Sequence, residues 1–160
     1  MKRSTLKKNL VIVNLCGVAF ILIVVFGFDP PDTTSTPENI EPVFMGYEGQ
    51  ITRVIDGDTL LIDQTTIRLS LVNSPERDER GYQEAKDFAL TVCPIGVNAE
   101  FVEDTWQPVD KYGRSVGLVY CNDMLLNEFL LTNGHAEIST YFCDKSEFGT
   151  EDWARAYGCQ

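Results

Sequence analysis

The stretch V-I-D-G-D-T-L at 54–60, followed after a short gap by I-R-L-S-L-V-N-S-P-E at 67–76, decides the reading of this chain. Asp56 and Asp58 sit in a turn signal between two short apolar alternations, the pattern of a strand, a tight turn and a second strand. Arg68 lies inside the next alternation, and Asn73-Ser74-Pro75 closes it just before Glu76. A second piece, D-K-Y-G-R at 110–114, adds Arg114. Grouped carboxylates suit a hard cation. Two guanidinium forks suit a phosphate, because each can make paired hydrogen bonds to its oxygens. The combination points to cation-assisted phosphodiester cleavage.

Working outward, Glu48–Ile55, Thr59–Asp63 and Thr66–Val72 are predicted strands, the last two joined by Gln64-Thr65. Gly81–Cys93 has helical spacing, with Tyr82, Ala85, Phe88, Ala89 and Val92 on one side, and Pro94 and Gly96 end it. Val97–Val102 and Gly113–Cys121 alternate as strands again. Met124–Thr132 is a short apolar helix stopped by Asn133-Gly134, and Glu151–Tyr157 is a last helix with Trp153 and Tyr157 on one face. Phe88 and Phe129 are expected in the core. Three strands, a helix, two strands and a helix suit a five-stranded barrel of the oligonucleotide-binding (OB-fold) type, an α+β arrangement.

The 160-residue chain has a formal net charge of −11, unevenly spread. Lys2, Arg3, Lys7 and Lys8 carry the first eight residues, while beyond residue 28 nine basic residues face 24 acidic ones. Leu10–Phe28 is apolar apart from Asn14 and is long enough to span a bilayer as a helix. Its basic flank predicts a cytoplasmic N-terminus and an extracytoplasmic domain. A cleaved signal peptide, with a secreted domain, is the rival, but no A-x-A-like site follows the run. The expected organisation is therefore 1–28 flank and transmembrane anchor, 29–47 a Pro/Thr/acid-rich tether, and 48–160 the barrel domain.

Five cysteines occur, with Cys16 in the apolar run and Cys93, Cys121, Cys143 and Cys159 beyond it. No C-x-x-C pair is present and His135 is the only histidine, so zinc is poorly supported. Disulfides are favoured in an oxidising compartment. Three pairings of the four are open. Cys143 and Cys159 flank the tail and could staple it, leaving Cys93 at a helix end and Cys121 at a strand end for the other bridge. His135 is expected at a strand start rather than in chemistry.

The pieces quoted above, with E-A-K-D-F at 84–88 and L-N-E-F-L-L-T-N-G at 126–134, resemble the thermonuclease family of staphylococcal-nuclease-like domains from about Gln50 to Ile138. That resemblance implies the same barrel and calcium-dependent hydrolysis of DNA and RNA. Water attacks phosphorus, the 5′ oxygen leaves and 3′-phosphates remain. It implies Asp58 as a direct calcium ligand, Asp56 in the outer shell, Ser74 as a carbonyl ligand, Glu76 as general base, and Arg68 and Arg114 on the scissile phosphate. Tyr112 is implied to bind substrate, with Tyr141 a further candidate. Asn73 departs from the pattern, standing where a second ligating aspartate is expected. The loss of one charge predicts weaker calcium binding. A non-catalytic binding module on the same barrel is the alternative, and no obligate protein partner is implied.

Overall fold

The structure, a computed structural model, describes residues 46–160; the expected anchor at 10–28 and nearly all of the tether lie outside the described residues. Eight strands and three α-helices follow one another: β1 (Gly46–Val54), β2 (Thr59–Ile62), β3 (Thr65–Leu69), β4 (Val72–Asn73), α1 (Tyr82–Val92), β5 (Asn98–Glu103), β6 (Ser115–Cys121), β7 (Met124–Leu125), α2 (Leu126–Thr132), β8 (Glu137–Ile138) and α3 (Asp152–Tyr157). Strand β1 begins two residues before the expected start at Glu48.

The main sheet runs β3-β2-β1-β5-β6-β7, and a parallel pairing of β3 with β6 closes it. Five strands (β1, β2, β3, β5 and β6) thus form a closed barrel, the arrangement expected of an OB-type fold. Alternation along these strands sends Ile51, Leu60, Ile62, Ile67, Leu69, Phe101 and Val119 inward, each nearly free of solvent. Ala85, Ala89 and Val92 of α1 are buried as their spacing predicted. A smaller apolar cluster under the tail joins Leu71, Leu118, Leu125, Phe148 and Ala154.

Three local departures have physical causes. The single strand expected over Thr66–Val72 breaks, because Leu71 adopts a left-handed conformation (φ 63°). Such a bend costs an L-residue roughly 1–2 kcal/mol, and the near-complete burial of the Leu71 side chain offsets it. The chain then reverses, and β4 pairs with β8 through Val72↔Ile138 and Asn73↔Glu137. The helix expected from Met124 starts only at Leu126. Asn122 and Asp123, both at positive φ, make a two-residue hairpin of the type that matches strand twist, so Met124 pairs with Cys121 instead. Phe129, expected in the core, is 36% exposed on the outer side of α2.

Both tail-and-barrel bridges are present, Cys93–Cys121 and Cys143–Cys159. The first joins the end of α1 to the end of β6 and is fully buried. A bridge closing a loop of this size limits the unfolded chain by about 3–4 kcal/mol. Cys93→Ala/Cys121→Ala is therefore expected to lower the unfolding free energy by about that amount in a guanidinium titration. An unchanged midpoint would contradict this.

Candidate active site

Register places the site. Thr59 pairs with Arg68 across β2–β3, and Ile67 pairs with Ser115 across β3–β6. Asp58 just before β2, Arg68 within β3 and Arg114 just before β6 are thereby brought to one end of the barrel. The Leu69 amide donates to the Asp58 carbonyl at 2.9 Å, fixing the first of these junctions.

The Asp56-Gly57-Asp58 turn is held by its own side chain, the Asp58 amide donating to Asp56 Oδ1 at 3.2 Å. Gly57 is needed for close approach: a Cβ there would lie 2.7 Å from the Ser74 Cβ and 2.9 Å from the Ala85 Cβ. Asp58 is 6% exposed. Its Oδ2 accepts the Ser74 amide at 2.6 Å, and its Oδ1 accepts the Thr59 hydroxyl at 3.1 Å and faces Arg68 Nη1 at 3.3 Å. Burial, then the charge of neighbouring Asp58, pushes the Asp56 carboxyl up to about 6.

Arg68 is braced along its whole fork. Nη1 donates to the carbonyls of Leu69 (3.0 Å) and Val72 (2.5 Å), and Nη2 donates to Asn73 Oδ1 at 3.2 Å. Arg114 is braced by Asp110, whose Oδ2 accepts from both Nε and Nη2 at 2.6 Å, while Arg114 Nη1 donates to Thr59 Oγ1 at 3.2 Å. Burial works against ionisation of Asp110, but hydrogen bonds from Arg114 and the Tyr112 amide outweigh it and hold the carboxyl below its usual range. One chain of hydrogen bonds, with an ion pair at the Asp58–Arg68 step, thus runs Asp110–Arg114–Thr59–Asp58–Arg68–Asn73. Its members orient one another, so no arginine needs to be ordered when a phosphate arrives.

A cleft of about 620 Å³ opens over this chain, lined by Asp56, Asp58, Arg68, Asn73, Glu76, Tyr112 and Arg114. Every predicted site residue faces it except Ser74, which is buried behind the floor and lines a neighbouring hollow with Asn73. Glu76 is exposed at the rim; its amide donates to Glu79 Oε2 at 2.8 Å and its carbonyl accepts the Glu79 amide at 2.8 Å, which shapes the turn that carries it. Tyr112 and Tyr141 are 71% and 72% exposed on the lining. Lys145 Nζ sits 3.1 Å from the Tyr141 ring centroid and holds the phenol below its usual value, by hydrogen bonding first and by charge second. His135 precedes β8 as expected and stacks on Phe88 at 4.4 Å, outside the cleft.

Among the described residues no three His, Cys, Asp or Glu side chains gather as a ready metal cage. The cleft offers the carboxylates of Asp56 and Asp58, with Glu76 at the rim, Asp110 engaged by Arg114, and an amide oxygen at Asn73. The donor chemistry nevertheless suits calcium, because all are hard oxygens and Asp56 and Asp58 lie two residues apart in one turn.

Sequence reasoning missed Asp110 as the brace of Arg114, although the Asp-to-Arg spacing of four residues is a usable signal. It also missed Phe142 and Ser139 in the tail wall of the cleft.

A closed five-stranded barrel with carboxylates and arginines gathered in one cleft is the architecture of an OB-type domain. Residues 66–157 match the staphylococcal nuclease homologue family, and the chain belongs to that family. The matched span begins after the Asp56–Asp58 turn, which joins the site through the register described above. The chain is 31% identical over 87 residues to a micrococcal nuclease of Shigella flexneri, covering 49% of this chain and 45% of that one. It is 28% identical over 123 residues to an uncharacterised protein of Bacillus anthracis, covering 69% and 58%. A probable staphylococcal-like nuclease of Oryza sativa subsp. japonica is 26% identical over 98 residues, covering 61% and 24%. The chain thus spans between a quarter and three fifths of these relatives' length.

Proposed function

We propose that this chain is a calcium-dependent phosphodiesterase that hydrolyses DNA and RNA, anchored by its N-terminal apolar segment with the barrel outside the membrane. The observation that carries the reading is the gathering of Asp56, Asp58, Arg68, Glu76 and Arg114 around one cleft. Asp58, Asn73 through its amide oxygen and Ser74 through its carbonyl would hold the ion, with Asp56 in its outer shell. When bound, calcium supplies Lewis-acid polarisation of the phosphate and acidifies bound water.

The remaining steps belong to the protein. Arg68 and Arg114 donate to the non-bridging phosphate oxygens and stabilise the charge that builds there. Glu76 accepts the proton of the attacking water. The water oxygen bonds to phosphorus as the bond to the 5′ oxygen breaks; that oxygen leaves as a hydroxyl with a proton from solvent, and Glu76 releases the proton it took to solvent. Tyr112 and Tyr141 offer faces on which flanking bases can stack, each contact of this kind contributing ~1–3 kcal/mol. End-group analysis of cleaved single-stranded DNA should find 3′-phosphates and 5′-hydroxyls; the reverse polarity would sink this reaction course.

Asn73 favours one rival, a barrel that binds nucleic acid without cutting it. The amide removes a negative charge from the ion site and is occupied by Arg68. Asn73→Asp is expected to tighten calcium binding in a titration calorimeter, since affinity follows ligand charge. Equal or weaker binding by the variant would show that Asn73 is not a ligand.

The raised Asp56 carboxyl makes a pH prediction for the metal-free protein. The folded state holds this proton more tightly than the unfolded chain does, where the usual value is 3.8. Its contribution to stability is therefore fully present below about pH 3.8 and is lost as pH rises through about 6. In EDTA, the melting temperature of wild type relative to Asp56→Asn should fall between pH 4 and 7. A difference independent of pH would contradict the assignment.

A further inference from the structure

Beneath the cleft lies a carboxylate that the chemistry above does not use. Asp104 follows β5 and is completely buried. Its Oδ2 accepts the Ser70 hydroxyl at 2.8 Å, and its Oδ1 accepts the amides of Trp106 (3.2 Å), Gln107 (3.3 Å) and Glu147 (3.2 Å). Among the described residues no Lys or Arg pairs with it. A buried carboxylate held only by neutral donors is costly to keep, and a network that satisfies it rigidifies whatever it joins.

The four donors come from three segments around the cleft. Ser70 stands in the turn between Arg68 and Asn73. Trp106 and Gln107 open the loop that ends in Asp110–Arg114, and Gln107 itself lines the cleft. Glu147 begins the segment directly after the turn that carries Tyr141 and Phe142. The ties are doubled: Ser146 Oγ lies 3.0 Å from Ser70 Oγ, and Glu147 Oε1 accepts the Thr105 amide at 2.6 Å. No side chain of the tail turn Thr140–Lys145 is fully buried; Phe142 and Cys143 rest half-buried on the smaller apolar cluster, and these polar ties and the Cys143–Cys159 bridge add to that hold.

We propose that Asp104 is a positioning residue for phosphodiester cleavage. It fixes the spacing between the turn bearing Arg68, the loop bearing Arg114 and the wall bearing Tyr141. The proposal rests on the nuclease reading above. A displacement of about an ångström in such groups costs on the order of 10²-fold, so the effect on catalysis should exceed the effect on folding.

The test uses the full-length chain with its disulfides intact, well below the melting temperature of each variant. Asp104→Ala should lower kcat/KM on single-stranded DNA by ~10–100-fold. Asp104→Asn should recover most of the loss, because it keeps an acceptor for the three amides and its own amide can donate to Ser70, which then donates to Ser146. Ser146→Ala loosens only the tail wall, so it should raise KM and leave kcat within about twofold. Hydrogen exchange is measured on the same proteins. Faster exchange in Asp104→Ala should be confined to 69–73, 105–114 and 139–147. If wild type cleaves and Asp104→Ala cleaves with unchanged kcat and KM, the positioning role is overturned. If wild type cleaves nothing, the nuclease reading falls, and exchange alone decides whether Asp104 sets the walls. Acceleration in one segment only, or spread over the whole barrel, overturns that too. Should Asp104→Ala fail to fold, the Asp104→Asn and Ser146→Ala kinetics carry the test, and an unchanged KM in Ser146→Ala counts against the proposal.

Discussion

Arg114→Ala is expected to lower kcat/KM on single-stranded DNA by ~10²–10³-fold, the usual cost of removing one preorganised donor from a developing oxyanion. The structure makes the role specific to the fork. Asp110 receives Nε and Nη2, Thr59 receives Nη1, and the guanidinium is thereby fixed at the cleft wall beside the Asp58 turn. Arg114→Lys keeps the charge but loses the planar fork and both ties to Asp110 that depend on it. It should recover less than a tenth of the lost activity, since lysine is a point charge rather than a paired donor. Stability should fall as well, because the two side chains are only 26% and 11% exposed and Asp110 loses its partner, so activities are compared well below the melting temperature of each variant. A loss under fivefold in Arg114→Ala, or full activity in Arg114→Lys, would remove Arg114 from the reaction.

The second large effect belongs to Glu76. Glu76→Gln keeps the shape and removes the base, so kcat should drop by ~10²–10⁴-fold with KM nearly unchanged. The turn should survive the change. It is closed by the Glu76 amide and carbonyl on Glu79, not by the Glu76 side chain. A melting temperature equal to wild type would therefore accompany the loss. An active Glu76→Gln protein would mean that another group takes the proton, and Asp56, with its raised carboxyl, would be the first to examine by substitution.

How far the sequence could be read depended on whether a residue's role was local. The Asp56–Asp58 turn and the strand bearing Arg68 were legible because period-two alternation and a turn dipeptide mark them directly. The register between β2 and β3 was not: a turn at Gln64-Thr65 would set Thr59 opposite Ser70, whereas the chain turns one residue earlier, at Asp63-Gln64 with Asp63 at φ 52°, and sets Thr59 opposite Arg68. The disulfides were legible as bridges, but three pairings stay open in the sequence, and the structure joins Cys93 to Cys121 and Cys143 to Cys159. Asp104 and Asn127 were not legible. Both are fully buried polar side chains, and Asn127 serves the Val119 amide and the carbonyls of Ser70 and Gly117. In a sequence such residues look like surface polar positions, because their partners lie tens of residues away. Leu71 was unreadable for another reason: nothing in a leucine announces a left-handed turn, and tertiary burial imposed it. The tail was the hardest segment. Its wall of Tyr141 and Phe142 is fixed by a bridge and a buried carboxylate, not by apolar periodicity.

The acidic surface is at first sight a poor partner for nucleic acid, whose affinity comes largely from phosphate neutralisation. The cleft offsets this only in part, because Asp56, Asp58, Glu76 and Asp110 line it beside its basic residues. Arg68 and Arg114 bring positive charge to its floor, Lys111 lines it, and Lys145 lies against Tyr141 on the tail wall. Affinity for substrate should accordingly be modest and salt-sensitive, with the bound cation supplying part of the attraction.

The central claim is that this cleft cuts phosphodiester bonds with calcium. The most direct measurement is cleavage of single-stranded DNA by the full-length, disulfide-intact chain in millimolar calcium, in EDTA, and in EDTA followed by excess calcium. Cleavage is expected in the first, none in the second and recovery in the third. A folded protein that binds the strand but leaves it whole with calcium present, or one that cuts equally well in EDTA, would contradict it.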